Sequence, residues 1–127
     1  MVWKFNAEHG LIVLPVEVAV HEMRRVLNLA LETGATHTYI SAKLLPSIGI
    51  HASESPNKVQ VTTGSGEVLA PVVSVTELSV LGQKRESFEV TAIDLPPSAS
   101  VDGVLGLDFL RGFRVFVDFR EGQVEFT

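Results

Sequence analysis

Two segments of the chain carry the residue types and spacing best suited to catalysis, residues 29–36 and residues 101–110. In the first, the apolar residues 29–31 lead into Glu32-Thr33-Gly34-Ala35-Thr36, which predicts a carboxylate in a tight turn after a buried strand. A carboxylate held in this way can act as a general base toward water or as a general acid. The second segment passes through Val104-Leu105-Gly106 into a predicted helical turn.

Other kinds of catalytic chemistry find little support in the sequence. The chain contains no cysteine, which excludes disulfides, thiolate catalysis and cysteine-based zinc sites. Ser65 is not a candidate nucleophile, because no Gly-x-Ser-x-Gly elbow surrounds it. The histidines have no paired metal-ligand spacing, so we predict neither a metal nor a cofactor; they are His9, His21, His37 and His51.

Three further carboxylates are predicted to have structural roles. Asp102 precedes a glycine and suits a turn, whereas Asp108 lies near the start of a short helix and would complement its N-terminus. Asp118 alternates with apolar neighbours and is expected to face solvent. None of the three is therefore expected to take a direct part in chemistry.

Taken in order, three pieces of the chain resemble the retropepsin-like aspartic peptidases. Residues 29–36 look like the family's apolar-apolar-Asp-Thr-Gly-Ala-Thr motif, and residues 101–110 look like the apolar-apolar-Gly segment before its C-terminal helix. Between them, Thr62-Thr63-Gly64-Ser65-Gly66 looks like the flap hairpin. The resemblance extends from about residue 11 to residue 126 and implies a mainly β, closed β-barrel half-domain with a flap and a short C-terminal helix. Residues 1–127 would form this single domain.

The resemblance also implies a site and a partner. In the family, two such turns meet face to face, and their carboxylates share one proton and hold a water molecule. Because this chain holds one such turn, the site implies a homodimer that acts on a peptide or protein substrate. The residues carried over are Glu32 as the catalytic residue, Thr33, Gly34 and Ala35 in the active-site turn, Thr63, Gly64, Ser65 and Gly66 in the flap, and Val104, Leu105 and Gly106 packed beside the turn and the substrate pocket.

The sequence departs from the family at the catalytic position, where Glu32 replaces Asp. Glutamate keeps the carboxylate but adds one methylene, which moves the carboxyl group by roughly 1 Å, and a displacement of that size can cost about 10²-fold in rate. Two hypotheses therefore stay open: an aspartic endopeptidase, and a catalytically silenced dimeric domain that binds peptides or acts as a scaffold. A third is an unrelated all-β interaction module, which would be monomeric.

Composition and charge limit the kind of protein that this chain can be. The 127 residues suit one compact domain, and 46 % hydrophobic with 20 % charged residues is typical of a globular chain. The net charge of −5 gives no basic surface for nucleic acid. The longest apolar run, residues 11–20, is broken by Pro15 and Glu17 and is too short to span a bilayer. With no signal-peptide pattern at the N-terminus, we expect no membrane association and a cytoplasmic location.

The elements that must position these residues are mostly short strands. Runs of β-branched and apolar residues, separated by Gly, Pro, Asn and Ser, predict strands over residues 11–20, 24–31, 58–63, 67–75, 77–81, 87–93, 114–119 and 123–126. One short helix is predicted over residues 40–47, with Ser41 as its N-cap and with Pro46 and Gly49 limiting its length. This pattern indicates a small barrel or sandwich.

Overall fold

The computed structural model describes residues 1–63 and 66–127. Over these residues the chain is mainly β, with two 3-10 helices at Ala42–Ile48 and Ala52–Glu54 and one short α-helix. In chain order the strands and the α-helix are β1 (Val2–Lys4), β2 (Val13–Val20), β3 (Met23–Leu31), β4 (Tyr39–Ser41), β5 (Lys58–Thr63), β6 (Gly66–Val80), β7 (Gln83–Ile93), β8 (Gly103–Leu105), α1 (Leu107–Leu110), β9 (Val115–Asp118) and β10 (Gln123–Phe126).

A closed barrel forms the body of the molecule. The larger sheet has the order β2-β3-β8-β4-β7-β6-β5, and a further pairing of β2 with β6 closes six of these strands into a ring. Successive side chains of a strand point to opposite faces, so every second residue can point into the barrel. In β2 these residues are Leu14, Val16 and Val18, which are fully buried. The predicted closed β-barrel with a short C-terminal helix is confirmed.

Strand β8 is inserted between β3 and β4 and runs parallel to β3, with Leu31 opposite Leu105. Its other neighbour, β4, is antiparallel to it and pairs Tyr39 with Val104. Two segments far apart in the sequence, residues 29–36 and 101–110, are thereby brought side by side.

A second, smaller sheet is formed by the ends of the chain, in the order β1-β10-β9. Its inner face packs on the barrel through Val124 and Phe126, which are almost completely buried. Phe109 of α1 links the two sheets, because its ring lies 5.9 Å from that of Phe88 in β7 and 6.3 Å from that of Phe126 in β10. Strand β1 was not predicted, since Val-Trp-Lys is too short to show an alternating pattern.

Three of the predicted elements take a different form in the structure. The strands predicted over residues 67–75 and 77–81 are one strand, β6, because its register with β7 continues without a shift from Val72 to Val80. The predicted helix over residues 40–47 is a short strand, β4, followed by the 3-10 helix Ala42–Ile48.

Ser41 does not cap this helix through its side chain, because it is buried as the last residue of β4. Pro46 lies inside the helix rather than ending it. Gly49 does end it, as predicted, in the left-handed conformation (φ 83°) that favours glycine.

Candidate active site

Glu32 follows the last residue of β3 and opens an exposed turn. Its backbone N–H donates to Leu105 O at 3.0 Å, and its carbonyl oxygen accepts from the N–H of Ala35 at 3.2 Å. The side chain folds back, so that Oε1 accepts a hydrogen bond of 3.0 Å from the N–H of Gly34. The extra methylene of glutamate is therefore taken up within the turn, and the carboxylate stays at its surface.

The two residues after Glu32, Thr33 and Gly34, are also exposed in the single chain, and Ala35 is half-buried. A Cβ on Gly34 would lie 3.0 Å from Glu32 Oε1. The missing side chain of Gly34 thus leaves room for the carboxylate to reach the backbone N–H.

Strand β8 lies directly beside this turn, where the sequence placed it. Leu105 is fully buried and Val104 is half-buried, and both pair with the end of β3. Gly106 sits so close to the turn that a Cβ there would lie 2.4 Å from His37 O and 2.8 Å from Ala35 O. The structure thus brings Val104, Leu105 and Gly106 together with Glu32. Their contribution to a substrate pocket stays a prediction.

The predicted flap is the tip of the β5–β6 hairpin. Its strands pair in register as far as Thr63 opposite Gly66, while Gly64 and Ser65 lie outside the described residues. Val68 and Leu69 of β6 are exposed large apolar residues, 48 % and 68 % accessible, in the part of the hairpin near this tip.

A hydrogen-bonded pair that the sequence did not reveal, Thr38 with Asp108, fixes the far end of the turn. Asp108 Oδ2 accepts from Thr38 N at 2.9 Å, and Oδ1 accepts from Thr38 Oγ1 at 2.7 Å. Asp108 also accepts from Phe109 N at 2.8 Å, within the first turn of α1, where the sequence had placed it. Thr38 was not singled out, because no local pattern marks a partner 70 positions away.

Three other residues considered in the sequence analysis, Asp102, Asp118 and His37, do not contact Glu32 through a hydrogen bond that the structure shows. Asp102 Oδ2 accepts from Asn28 N at 2.8 Å, and Asp118 Oδ1 accepts from the N–H groups of Arg120 and Glu121 in the β9–β10 turn. His37 lines an open cavity of about 570 Å³ beside the turn. In the described ranges, 1–63 and 66–127, no three His, Asp or Glu side chains group as they would to hold a metal ion.

The chain has a retropepsin-like fold, a closed barrel in which the Glu32 turn follows β3 and lies beside the short parallel strand β8. The chain belongs to the aspartyl protease family, whose model matches residues 16–109. The family resemblance drawn from the sequence is thereby confirmed.

Among solved structures, the chain is similar to a retropepsin-like aspartic protease from Rickettsia conorii, with a TM-score of 0.73 and 14 % sequence identity. The match covers 98 % of this chain and 86 % of that one. No curated protein matches the chain significantly. None of the helices in the described part of the chain has the length and apolar character needed to cross a membrane.

Proposed function

We propose that the protein is an aspartic-type endopeptidase that acts as a homodimer and cleaves peptide bonds with water activated between two Glu32 carboxylates. The observation that carries this proposal is the Glu32 carboxylate, which is exposed on its turn and held by the N–H of Gly34 at 3.0 Å. The family model supports it, because it spans this turn and the β8 segment beside it.

The chemistry requires two carboxylates that share one proton. One acts as a general base toward water, while the other, protonated, polarises the peptide carbonyl. The active form of the proposed pair is the one that holds a single proton. Cleavage is therefore favoured at acidic to mildly acidic pH.

The second carboxylate comes from a second copy of the chain, because the sequence holds one Glu-Thr-Gly and no Asp-Thr-Gly. The exposure of Glu32, Thr33 and Gly34 in the single chain supports a meeting of two turns at this surface. In a closed two-fold dimer the same surface serves both subunits.

The terminal sheet offers a further surface for this dimer. The outer-face residues Val2, Glu125 and Phe116 are cross-strand neighbours, and Phe119 follows directly after β9. Phe116 and Phe119 are 56 % and 68 % accessible, although they are large aromatic side chains. Aromatic residues are enriched at protein interfaces, so we include this face in the proposed dimer contact.

The proposed substrate is a peptide in extended conformation. It lies between the turns and the β5–β6 hairpins and forms backbone hydrogen bonds along its length. The hairpin, with Thr63, Gly64, Ser65 and Gly66 at its tip, is proposed to close over the substrate and exclude water.

The proposal is tested by incubating the protein with a mixed-peptide library near pH 5 and reading cleavage by mass spectrometry. Glu32→Gln removes the carboxylate at constant size, and Glu8→Gln serves as a matched control on an exposed loop. We expect cuts by the parent and by Glu8→Gln, and none by Glu32→Gln.

Cuts that persist unchanged in Glu32→Gln would refute the proposal. If no variant cuts while sedimentation shows a dimer, the second hypothesis is favoured, a silenced dimeric domain that binds peptides or acts as a scaffold. Glu32→Asp then separates two cases. If the glutamate silences the site, the Glu32→Asp protein gains peptidase activity; if the domain is non-catalytic for another reason, it does not. A monomer at all concentrations would contradict both hypotheses.

A further inference from the structure

We propose that Asp108 is a positioning residue for the Glu32 turn and acts through Thr38 and Gly106. We call Thr38, Asp108 and the hydrogen bonds between them the clamp. Thr38 is fully buried, and both its N–H and its hydroxyl group bond to the Asp108 carboxylate, at 2.9 and 2.7 Å. The kinetic part of this inference rests on the proposed peptidase function, whereas the structural part does not.

The clamp reaches Glu32 through the segment after β8. Thr38 Oγ1 accepts from the N–H of Gly106 at 3.1 Å, which fixes the backbone at that residue. In the same peptide group, Leu105 O accepts from the N–H of Glu32 at 3.0 Å. One peptide later, the N–H of Leu107 donates to Ala35 O at 2.8 Å. The backbone that holds both ends of the catalytic turn is thus itself held by the clamp.

The clamp requires a carboxylate rather than an amide at position 108. All three groups that face the Asp108 oxygens are donors: the N–H and hydroxyl of Thr38 and the N–H of Phe109. Since the Thr38 hydroxyl gives its proton to Asp108, its lone pair is directed to the N–H of Gly106. An asparagine has one acceptor oxygen, so its NH₂ group would face one of these donors and at least one bond of the clamp would be lost.

The kinetic test compares Asp108→Asn and Thr38→Val with the parent on a cleaved peptide. We expect kcat to fall by about tenfold to a hundredfold, since a displacement of about 1 Å in catalytic geometry has effects of that order. KM should stay within about threefold, because Thr38 is fully buried and the clamp is proposed to act on Glu32 through the backbone. Thr38→Ser keeps the hydroxyl group and should stay within about threefold of the parent in kcat.

Asp102→Asn is the matched control. Asp102 also accepts a backbone N–H, that of Asn28 at 2.8 Å, and ties the residues before β8 to β3 without touching the catalytic turn. We expect its kcat to equal that of the parent. A parent-like kcat in both Asp108→Asn and Thr38→Val, with only a lower melting temperature, would assign the clamp to stability alone and overturn the proposal.

A second measurement does not depend on activity. Amide hydrogen exchange by NMR should be about tenfold faster at Glu32, Gly106 and Leu107 in Asp108→Asn and Thr38→Val, and unchanged there in Asp102→Asn. Unchanged exchange in both clamp variants would overturn the proposal even if the parent cleaves peptides. If the parent cleaves nothing but exchange is faster in the clamp variants than in the parent, the positioning role is upheld and only the peptidase function is removed. Thr38→Val keeps the test valid if Asp108→Asn fails to fold.

Discussion

Replacing Gly106 by alanine measures how closely the residue after β8 and the Glu32 turn are packed. The backbone of Gly106 is extended, with φ −101° and ψ −174°, so alanine introduces no backbone strain there. The cost comes from contact alone, since the new Cβ would lie 2.4 Å from His37 O, 2.6 Å from His37 C and 2.8 Å from Ala35 O. All three are backbone atoms, which cannot rotate away as the end of a side chain can.

The expected magnitude follows from these distances. Ordinary van der Waals contact begins near 3.4 Å, so residues 35–37 must withdraw by about 1 Å. Overpacking of this kind costs about 1–3 kcal/mol in the free energy of unfolding. For a chain of 127 residues this lowers Tm by about 4–10 °C. Because the displaced loop carries Glu32, we also expect kcat to fall by about 10²-fold.

The assay pairs thermal unfolding with peptide cleavage, at equal protein concentration because a dimer's Tm depends on it. Gly82→Ala is the control: Gly82 has φ +85° and open space around its Cβ, so alanine strains the backbone without touching the site. It should lower Tm slightly and leave kcat unchanged. A Gly106→Ala protein with the Tm and kcat of the parent would refute the close packing of Gly106 against the turn.

Three further predictions concern the supports of the site. Phe109→Ala removes the fully buried ring that links the two sheets and should cost about 3–5 kcal/mol in urea unfolding, whereas a loss under 1 kcal/mol would contradict that role. Arg85→Lys loses the paired bonds to Phe109 O (2.9 and 2.8 Å) and should destabilise by about 1 kcal/mol, visible as a lower Tm. Phe116→Glu places a charge on the proposed dimer face and should weaken dimerisation at least about tenfold in sedimentation without unfolding the monomer; an unchanged dimer would exclude that face.

Much of the fold could be predicted because its strands are half-buried and alternate with a period of two. The hairpin of β9 and β10 and the strand leading into Glu32 were located within one or two residues. The helix predicted over residues 40–47 differs because its first two residues, Ile40 and Ser41, pair with β7. That pairing is a tertiary contact which local propensity does not contain.

In the candidate site, too, some residues could be predicted from local sequence and others only from the folded chain. Glu32 and its turn follow from a local run of residues, whereas Thr38 and Asp108 form a pair only because β8 is inserted between β3 and β4. Likewise, the sequence shows a glycine at position 106, but only the folded chain shows the carbonyl groups that exclude a side chain there.

By itself the sequence determined the mainly β class, the absence of thiol chemistry, and which carboxylate is the candidate for catalysis. These properties depend on residue type and on short-range spacing, which the sequence states directly. The tertiary structure alone decided that Glu32 folds back to Gly34, that Thr38 bonds to Asp108, and that β1 joins β10 to form a face with exposed aromatic residues. Each of these depends on contacts that exist only after the barrel has closed and brought distant segments to within hydrogen-bonding distance.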